Sequence, residues 1–519
     1  MTTKVARSQL DEIKDSFLKS CERYLDKRDL EHIAKAKSIA KLAHKEEKRY
    51  SGEPYYTHPL AVATKLCDLK LDKNTVIAGL LHDALEDTEL KRDEIKREFG
   101  QDVLSLVEGV TKLGQIRIKK GWFPFARVKT EEIPEFERQL ETLRKMLIAT
   151  SKDVRVVLIK LADRMHNLET LQYLPEAKRE RYAREALEIF APIAERLGMG
   201  ELNGQINDLA FSYLYPEDFK RLKDKYEPRI RYQERIVKVL VEKVKRILRQ
   251  NHLDAEVNYR IKHWYSLFKK LNRYEWDDSK IYDLVALRIV VKTEGDCYKV
   301  LGLVHKEWKP LIGRIKDFIA FPKPNGYRSI HTTVIADKGA IVEFQIRTEE
   351  MHHQAEFGIA AHWIYKNSGE HPFVSKDRLN WVKEFSSLQR GMDKEELARS
   401  FDLDLFQDRI FVFTPEGDVK DMPKDSTPVD FAYYVHTWLG DHCAGAKING
   451  KIAPLSTPLK NGDIVEILDS KSARPRTDWL KFVKTHVARS HIRREIRSSS
   501  GGFINKFSGI RKIGEKFKK

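Results

Sequence analysis

Residues 74–88, NTVIAGLLHDALEDT, decide the reading of the amino-terminal half. Their spacing predicts a helix with two unlike faces. At about 100° per residue, with His82 as origin, Glu86 lies near 40°, Asp83 near 100° and Asp87 near 140°. Leu80, Ala84, Leu81 and Leu85 fill the arc from roughly 160° to 300°. One face is therefore apolar, and the other carries an imidazole and three carboxylates. That many acids within two helical turns repel one another unless a cation or a bound substrate compensates. A solvated acidic face is the bland alternative.

Two further segments bear on that choice. RYSGEPYYTHPLAVA (residues 49–63) sets His58 just ahead of Pro59 at a helix start, after a Gly-Glu-Pro turn. KLADRMHNLETL (residues 160–171) sets Asp163, Asn167 and Thr170 along one helical stripe. His58, His82, Asp83 and Asp163 make a mixed nitrogen and oxygen set, suited to a borderline divalent ion such as Mn²⁺.

A chain of 519 residues exceeds what one core supports and implies about three or four domains. No run approaches the roughly 18 apolar residues of a membrane helix, and the polar start MTTKVARSQLDEIKDSF has no signal-peptide character. Cys21, Cys67, Cys297 and Cys443 are scattered without a CxxC pair, which argues against a disulfide framework and fits a reducing cytoplasm. Twelve of the seventeen net positive charges fall in residues 470–519, where 15 Lys and Arg face only Asp478, Glu495 and Glu515. Such a segment suits a polyphosphate partner, RNA above all, or serves as a solubilising tail.

Residues 1–250 read as helical. Near Ile281 the pattern changes to short β-branched runs, IYDLVALRIVV, DFIAF, HTTVIA and AIVEFQIRT, predicting a sheet with helices. A helical pattern returns at about residues 351–389, and RIFVFTPEGDVKDM from Arg409 reads as a hairpin. SSSGG (residues 498–502) reads as a flexible joint. In AIVEFQIRT, Glu343, Gln345 and Arg347 face away from Val342, Phe344 and Ile346. Asp283 opens the apolar run DLVALRIVV, where a carboxylate is costly unless paired or metal-bound. Between them, GRIKDFIAFPKPNGYRSIHTT presents Lys323, Asn325, Tyr327 and His331 around a Pro-Asn-Gly turn. Cations, an exposed aromatic and two carboxylates suit a triphosphate, a base and Mg²⁺. His352, His353 and His362 read as structural, no acid standing at ligand spacing. Gly445 to Lys451 imitates a phosphate-binding loop but continues with Ile452 instead of Ser or Thr, so Asn449-Gly450 is read as a hairpin turn.

RYSGEPYYTHP, HDALEDT, GVTKL and KLADRMHNLETL closely resemble the HD phosphohydrolase half of the RelA/SpoT (Rel) family of alarmone enzymes. The resemblance implies removal of the 3′-pyrophosphate from (p)ppGpp, with Mn²⁺ held by His58, His82, Asp83 and Asp163. Glu86 and Asp87 would be catalytic, and Arg49 and Asn167 would contact the nucleotide. Residues 121–136, GWFPFARVKTEEIPEF, depart from the family's shorter polar loop.

YDLVALR, GRIKDFIAFPKPNGYRSIHTT, VEFQIRT and MHHQAEFGIAAHWIYK resemble the synthetase domain of the same family. The resemblance implies pyrophosphate transfer from ATP to the 3′-hydroxyl of GDP or GTP. Asp283 would hold Mg²⁺, and Glu343 would activate the hydroxyl. Tyr327 would stack on guanine, with Lys323, Asn325 and His331 on the acceptor. Arg260, Lys262, Ser266 and Lys270 would grip ATP, with Arg288 nearby. Arg314-Ile315-Lys316-Asp317 matches the basic motif of the bifunctional branch. Tyr259 replaces the family's Gly ahead of Arg260, where a side chain would crowd the ATP pocket.

FVFTPEGDVKDMP, AYYVHTWLGDHCAGAKING and LKNGDIVEI resemble a TGS domain. That implies contact with tRNA or the ribosome, with His436 the single best tRNA-contact candidate. The expected layout is an all-α HD-type hydrolase domain (1–185), then a helical linker and an α+β, mixed-sheet, nucleotidyltransferase-like synthetase domain (186–395). A small α+β, β-grasp-like TGS domain (405–470) and a basic tail (471–519) follow. Two other readings stay open: a hydrolase whose synthetase is weak or lost, and an RNA-binding regulator with a structural metal site. Two opposed activities would waste ATP, so an antagonistic switch is expected in the helices of about residues 175–230.

Overall fold

In the computed structural model the described residues are 17, 19–114, 142, 144–146, 148–150, 152–323, 325–361, 409–460, 462–485 and 487–496. The aromatic loop at 121–136, His362, the helical pattern beyond residue 361 and the SSSGG joint lie outside them. The chain divides into two units, residues 1–388 and 389–519, each described here by itself.

Aspartate caps start the helices of the amino-terminal half. Asp26 begins α1 (Lys27–Ala43), Asp72 begins α3 (Lys73–Leu81) and Asp153 begins α6 (Val154–Glu169), each carboxylate accepting from a backbone N–H of the first turn. Between α1 and α3, α2 (Thr57–Asp68) follows a turn closed by Gly52 at φ +84°. The turn is pinned by Arg49 N–H donating to Glu53 O and Tyr55 N–H donating to Glu47 O, both at 2.9 Å. Helix α3, buried from Thr75 to Leu81, packs on α1, α2, α6 and α5 (Arg92–Gly114), which kinks at Gly100. Against expectation, the helix of residues 74–88 is not continuous. It stops at Leu81 and resumes as the single turn α4 (Ala84–Asp87), with Asp83 between at φ −95°, ψ −13°.

Cys21 and Cys67 correct the reading of four unpaired cysteines: they form a disulfide with Cα atoms 5.3 Å apart, while Cys297 and Cys443 are free and buried. Residues far apart in sequence were brought together by α2 packing on the chain ahead of α1, which spacing alone does not reveal.

After α6 the chain runs through α7 (Glu176–Glu185), a π-helical turn (Ala186–Phe190), α8 (Ala191–Arg196) and α9 (Gly200–Leu214). The 35-residue α10 (Pro216–Gln250) then lies along a five-stranded sheet. Its strands are β1 (Ala255–Ile261), β2 (Val285–Val291), β3 (Lys309–Asp317), β4 (Ile330–Ile335) and β5 (Ile341–Thr348), in spatial order β1-β2-β5-β4-β3. Only β2 and β5 pair in parallel, so the sheet is mixed. It begins at Ala255, earlier than expected: in β1 Ala255, Val257, Tyr259 and Ile261 alternate with Glu256, Asn258 and Arg260, a period-two pattern passed over beside the long helix that precedes it. DFIAF is no strand: β3 ends at Asp317, whose carboxylate accepts from the N–H groups of Ile319 and Ala320 in the turn that follows. One sheet face joins α10, α11 (Trp264–Arg273) and α12 (Glu294–Glu307) in a core built on Leu287, Ile289, Phe344 and Ile346. The other face, alternating as AIVEFQIRT requires, carries the polar residues.

In the second unit, β6 (Arg409–Phe413) and β7 (Val419–Pro423) form the expected hairpin. Helices α14 (Pro428–Val435) and α15 (Thr437–Asp441) precede β8 (Cys443–Ile448), β9 (Lys451–Ala453) and β10 (Val465–Asp469), ordered β10-β8-β9. Asn449 and Gly450, at φ +52° and +79°, join β8 to β9 as a hairpin turn, which disposes of the phosphate-loop imitation. The described chain beyond residue 470 packs back onto this module. Trp479, Val483, Ala488 and Ile492 share a core with Val429, Ala432 and Tyr433. Buried Asp430 accepts from the N–H and hydroxyl of both Thr427 and Thr485 and from Lys484 N–H. Asp430→Ala strands these donors and is expected to destabilise the unit by about 3 kcal/mol or more. Denaturant titration with hydrogen exchange at residues 428–435 measures this; unchanged exchange there would show that the carboxylate is not the tie.

Candidate metal centre and nucleotide face

His58 on α2, His82 and Asp83 at the break after α3, and Asp163 on α6 converge. His58 Nε2 lies 3.3 Å from Asp163 Oδ1 and 3.5 Å from Asp83 Oδ2; His82 Nε2 lies 3.1 Å from Asp83 Oδ2 and 3.9 Å from Asp163 Oδ1. His82 and Asp83 keep near-helical backbone angles across the break, so both stay on the polar side that the sequence reading gave them. His82 Nδ1–H donates to Gly79 O at 2.9 Å, directing Nε2 at the acids. Although close to Asp83, Nε2 is buried without a hydrogen-bond partner. Burial draws the His82 imidazole down, but Asp83 and Asp163 outweigh it and raise it to about 9. The acids thus call for positive charge at this nitrogen, as a proton or a metal. An orphaned buried nitrogen facing mixed imidazole and carboxylate donors fits a divalent cation.

Three supporting residues were missed in the sequence. Tyr55 OH donates to Asp83 Oδ2 at 2.8 Å, and Lys160 Nζ to Asp163 Oδ2 at 2.7 Å. His166 Nδ1 lies 2.8 Å from His58 Nδ1. Burial, with His58 and Arg49 beside it, lowers His166 to about 2, so it is neutral and can accept from His58 Nδ1–H, leaving His58 Nε2 open to a metal. A helical signal existed for two of them: Lys160 and His166 stand three residues either side of Asp163.

The other expected hydrolase residues divide. Arg49 reaches the rim, bonding Thr170 Oγ1 at 2.9 Å beside His166. Asn167 Nδ2 donates to Asp163 Oδ1 at 2.6 Å, so it supports a ligand rather than pointing to open solvent. Glu86 and Asp87 are exposed one turn beyond Asp83, outside the convergence. Burial and the neighbouring Asp83 and Glu47 raise the Asp87 carboxyl.

On the sheet, strand register aligns Arg260, Ala286, Glu343 and Thr333 in one row, and Asn258, Arg288, Gln345, His331 and Lys316 in the next. Burial pushes the Asp283 carboxyl up, but Lys262 and Lys270, each 2.6 Å away, outweigh it and hold it at about 2. His331 Nδ1 lies 3.2 Å from Glu343, and its Nε2 2.7 Å from Tyr327 OH. Tyr327 is half-buried, where exposure was expected, and Lys323 Nζ sits 5.0 Å from its ring centroid. The Asn325 side chain accepts from Tyr327 N–H. Ser266 shares α11 with Lys270. Arg288 and the fully buried Arg347 both pair with Glu356 at 3.2 Å. Glu356 belongs to α13 (Glu349–Phe357), where His352 and His353 also stand. Tyr259 points to the opposite face, packed on the core, with its hydroxyl 2.7 Å from Glu234 of α10; it does not crowd Arg260. In the second unit His436 caps α15, accepting from Trp438 N–H at 3.2 Å.

The fold and site define a helical HD-type metal domain joined to a charged mixed sheet, with a small carboxy-terminal module. Residues 36–200 match the HD domain family, 259–370 the region found in RelA/SpoT proteins, and 410–469 the TGS domain family. The chain is 45% identical over 469 residues to a protein of Aquifex aeolicus named guanosine-3′,5′-bis(diphosphate) 3′-pyrophosphohydrolase, covering 90% of this chain and 65% of that one. A Borreliella burgdorferi protein of the same name is 40% identical, with 94% and 71% covered. The Escherichia coli K12 bifunctional (p)ppGpp synthase/hydrolase SpoT is also 40% identical, with 93% and 67% covered. The chain belongs to the RelA/SpoT family. It spans 65% of the length of the Aquifex relative. Among the described residues no helix is long and apolar enough to cross a membrane.

Tyr55→Phe removes the hydroxyl that holds Asp83 while keeping the ring. Loss of such a supporting bond is expected to weaken divalent-metal binding by about tenfold or more, read by calorimetry. Unchanged affinity would show that Asp83 needs no holder.

Proposed function

We propose that the chain is a bifunctional alarmone enzyme, as the name of the Escherichia coli relative states for that protein. One centre removes the 3′-pyrophosphate of (p)ppGpp with Mn²⁺; the other moves pyrophosphate from ATP to the 3′-hydroxyl of GDP or GTP with Mg²⁺. Such chemistry fits a cytoplasmic enzyme of the stringent response. The observation that carries the reading is the convergence of His58, His82, Asp83 and Asp163 around an unpartnered buried imidazole nitrogen.

His58 Nε2, His82 Nε2, Asp83 and Asp163 would hold Mn²⁺, which when bound lowers the pKa of water and polarises a phosphoryl oxygen. Lys160 and Tyr55 keep the two carboxylates oriented, and Arg49 offers a cation at the rim for the nucleotide. The water oxygen ends on phosphorus, its proton passes to a carboxylate at Glu86 or Asp87, and the 3′-oxygen leaves protonated. The raised Asp87 carboxyl suits proton exchange near neutrality better than an ordinary acid.

On the sheet, Arg260, Lys262, Ser266, Lys270 and Arg288 would grip ATP, and Asp283 would hold Mg²⁺ once its two lysines turn to phosphate. Glu343, kept anionic chiefly by His331 against its own burial, would take the proton of the attacking hydroxyl. Tyr327 would stack on guanine beside Lys323, Asn325 and His331. Positioning and charge supply most of the effect in such transfers. In the second unit, exposed Trp438 and Tyr434 beside His436 support base contact, in keeping with a tRNA or ribosomal partner.

Two assays test this. Wild type with Mn²⁺ is expected to convert ppGpp to GDP and pyrophosphate, and Asp83→Ala to fall to background. With ATP, GDP and Mg²⁺, Asp83→Ala is expected to accumulate ppGpp and AMP; its failure to do so would leave a hydrolase alone. Tyr259→Gly is expected to lower stability by about 1–3 kcal/mol, through lost packing and glycine entropy, with KM for ATP unchanged. A lower KM for ATP would place that ring in the nucleotide's path after all.

A further inference from the structure

Helix α9 belongs to the linker, yet its side chains enter the ATP side of the sheet. Asp208 uses both carboxylate oxygens there: Oδ2 is 2.9 Å from His263 Nδ1, and Oδ1 accepts from Tyr265 N–H at 2.9 Å. Tyr265 is the second residue of α11, whose own preceding residue, His263, supplies no side-chain cap. A carboxylate from another helix therefore fills the capping place that Ser, Asp or Asn ordinarily takes. Glu201, seven residues earlier and so on the same face of α9 two turns away, lies 3.6 Å from His263 Nε2. Burial lowers the His263 imidazole, but Asp208 and Glu201 outweigh it and raise it to about 9, so the ring is held between two acids as a cation. Gly204 makes room for it: a Cβ there would stand 2.2 Å from ring atoms Cδ2 and Nε2.

His263 and Tyr265 stand inside YRIKHWYSLFKK, the run that carries Arg260, Lys262, Ser266 and Lys270. His263 and Asp208 contact each other, and Asp208 the Tyr265 N–H, where the strand ends and the helix begins. We propose that Asp208, acting through His263 in the notch at Gly204, is a positioning residue that sets the ATP grip of the pyrophosphate-transfer site. The inference rests on the reading of the sheet as that site. It assigns to linker helix α9 the placement of β1's end and α11's start, so donor affinity depends on a helix outside the sheet. Acceptor-side residues Tyr327, His331 and Glu343 lie on β4, β5 and the loop before them, and Asp208 does not touch them.

The test uses the full chain as wild type, Asp208→Ala, Asp208→Asn and Gly204→Ala. Binding of the non-hydrolysable ATP analogue AMPCPP with Mg²⁺ is read by calorimetry. KM for ATP and for GDP are read in synthesis, and ppGpp hydrolysis is the control for folding. Loss of a charge-assisted pair predicts that Asp208→Ala and Gly204→Ala weaken AMPCPP binding and raise KM for ATP by about tenfold. KM for GDP and the hydrolysis rate stay within about twofold. Asp208→Asn, which keeps an oxygen for Tyr265 N–H, falls between wild type and Asp208→Ala. Unchanged AMPCPP affinity in both Asp208→Ala and Gly204→Ala would overturn the proposal, as would equal losses for ATP, GDP and hydrolysis, which mark a general folding defect. If wild type binds AMPCPP but makes no ppGpp, the synthetase reading fails while the binding series still decides the positioning role. If wild type binds no AMPCPP, both fall.

Discussion

An imidazole nitrogen buried among carboxylates, with no hydrogen-bond partner, is the constraint on which the amino-terminal half depends. His82 cannot be moved without cost, because Nδ1–H is spent on Gly79 O and the ring is sealed by α3. Asp83, the next residue, reaches the same point, its Oδ2 3.1 Å from His82 Nε2. The helix breaks between Leu81 and Ala84, with Asp83 near φ −95°, ψ −13°. Tyr55 and Lys160 then hold the acids from the far side. Like charges this close are stable only if something positive completes them, so the local fold is set by its requirement for a cation.

From that centre a continuous set of packed groups leads toward the sheet. Arg164, next to Asp163, is buried between the rings of Tyr182 and Phe190, at 4.8 and 4.4 Å, with Glu185 at 3.2 Å. Phe190 closes the π-helical turn, a feature common at functional points of helices. Just past α8, the backbone of Leu197 to Met199 meets Gly358, which has φ +56° and where a Cβ would lie 2.1 Å from Leu197 O. Helix α9 packs on α6 as well as on α11. Continuity of packing is a route for coupling, though coupling itself is an energetic quantity that only paired measurements define.

Much of this was legible in the chain because charge in an apolar pattern is conspicuous. His82 with Asp83, the Asp163 stripe and the alternation of AIVEFQIRT each broke the surrounding periodicity and named their own positions. The residues that hold them were passed over: Tyr55 and Asp208 look like ordinary polar surface until tertiary packing places them, and helical spacing from Asp163 was the one signal for Lys160 and His166. The Tyr259 departure misled for a related reason. Its neighbours in sequence alternate across the sheet, so the residue beside Arg260 faces α10 and not the nucleotide. The segment after residue 470 was read as a solvated tail from its basic composition, whereas Trp479, Val483 and Ile492 give it a core to join.

The two centres solve opposite electrostatic problems. At the HD site Asp83 and Asp163 face two imidazoles and the single ammonium of Lys160, a mixed donor set that a divalent cation can join. On the sheet the surplus is positive: Arg260, Arg288, Arg347, Lys262, Lys270 and Lys323 surround few acids, and Asp283 is already neutralised by two ammonium groups at 2.6 Å. A free divalent ion would have to displace both lysines there, against their Coulombic repulsion. If the sheet is the pyrophosphate-transfer site we propose, a triphosphate would draw those lysines to itself and open Asp283 to a divalent ion carried with it. Donor and ion would then bind there as one unit, whereas the HD residues would hold their ion alone.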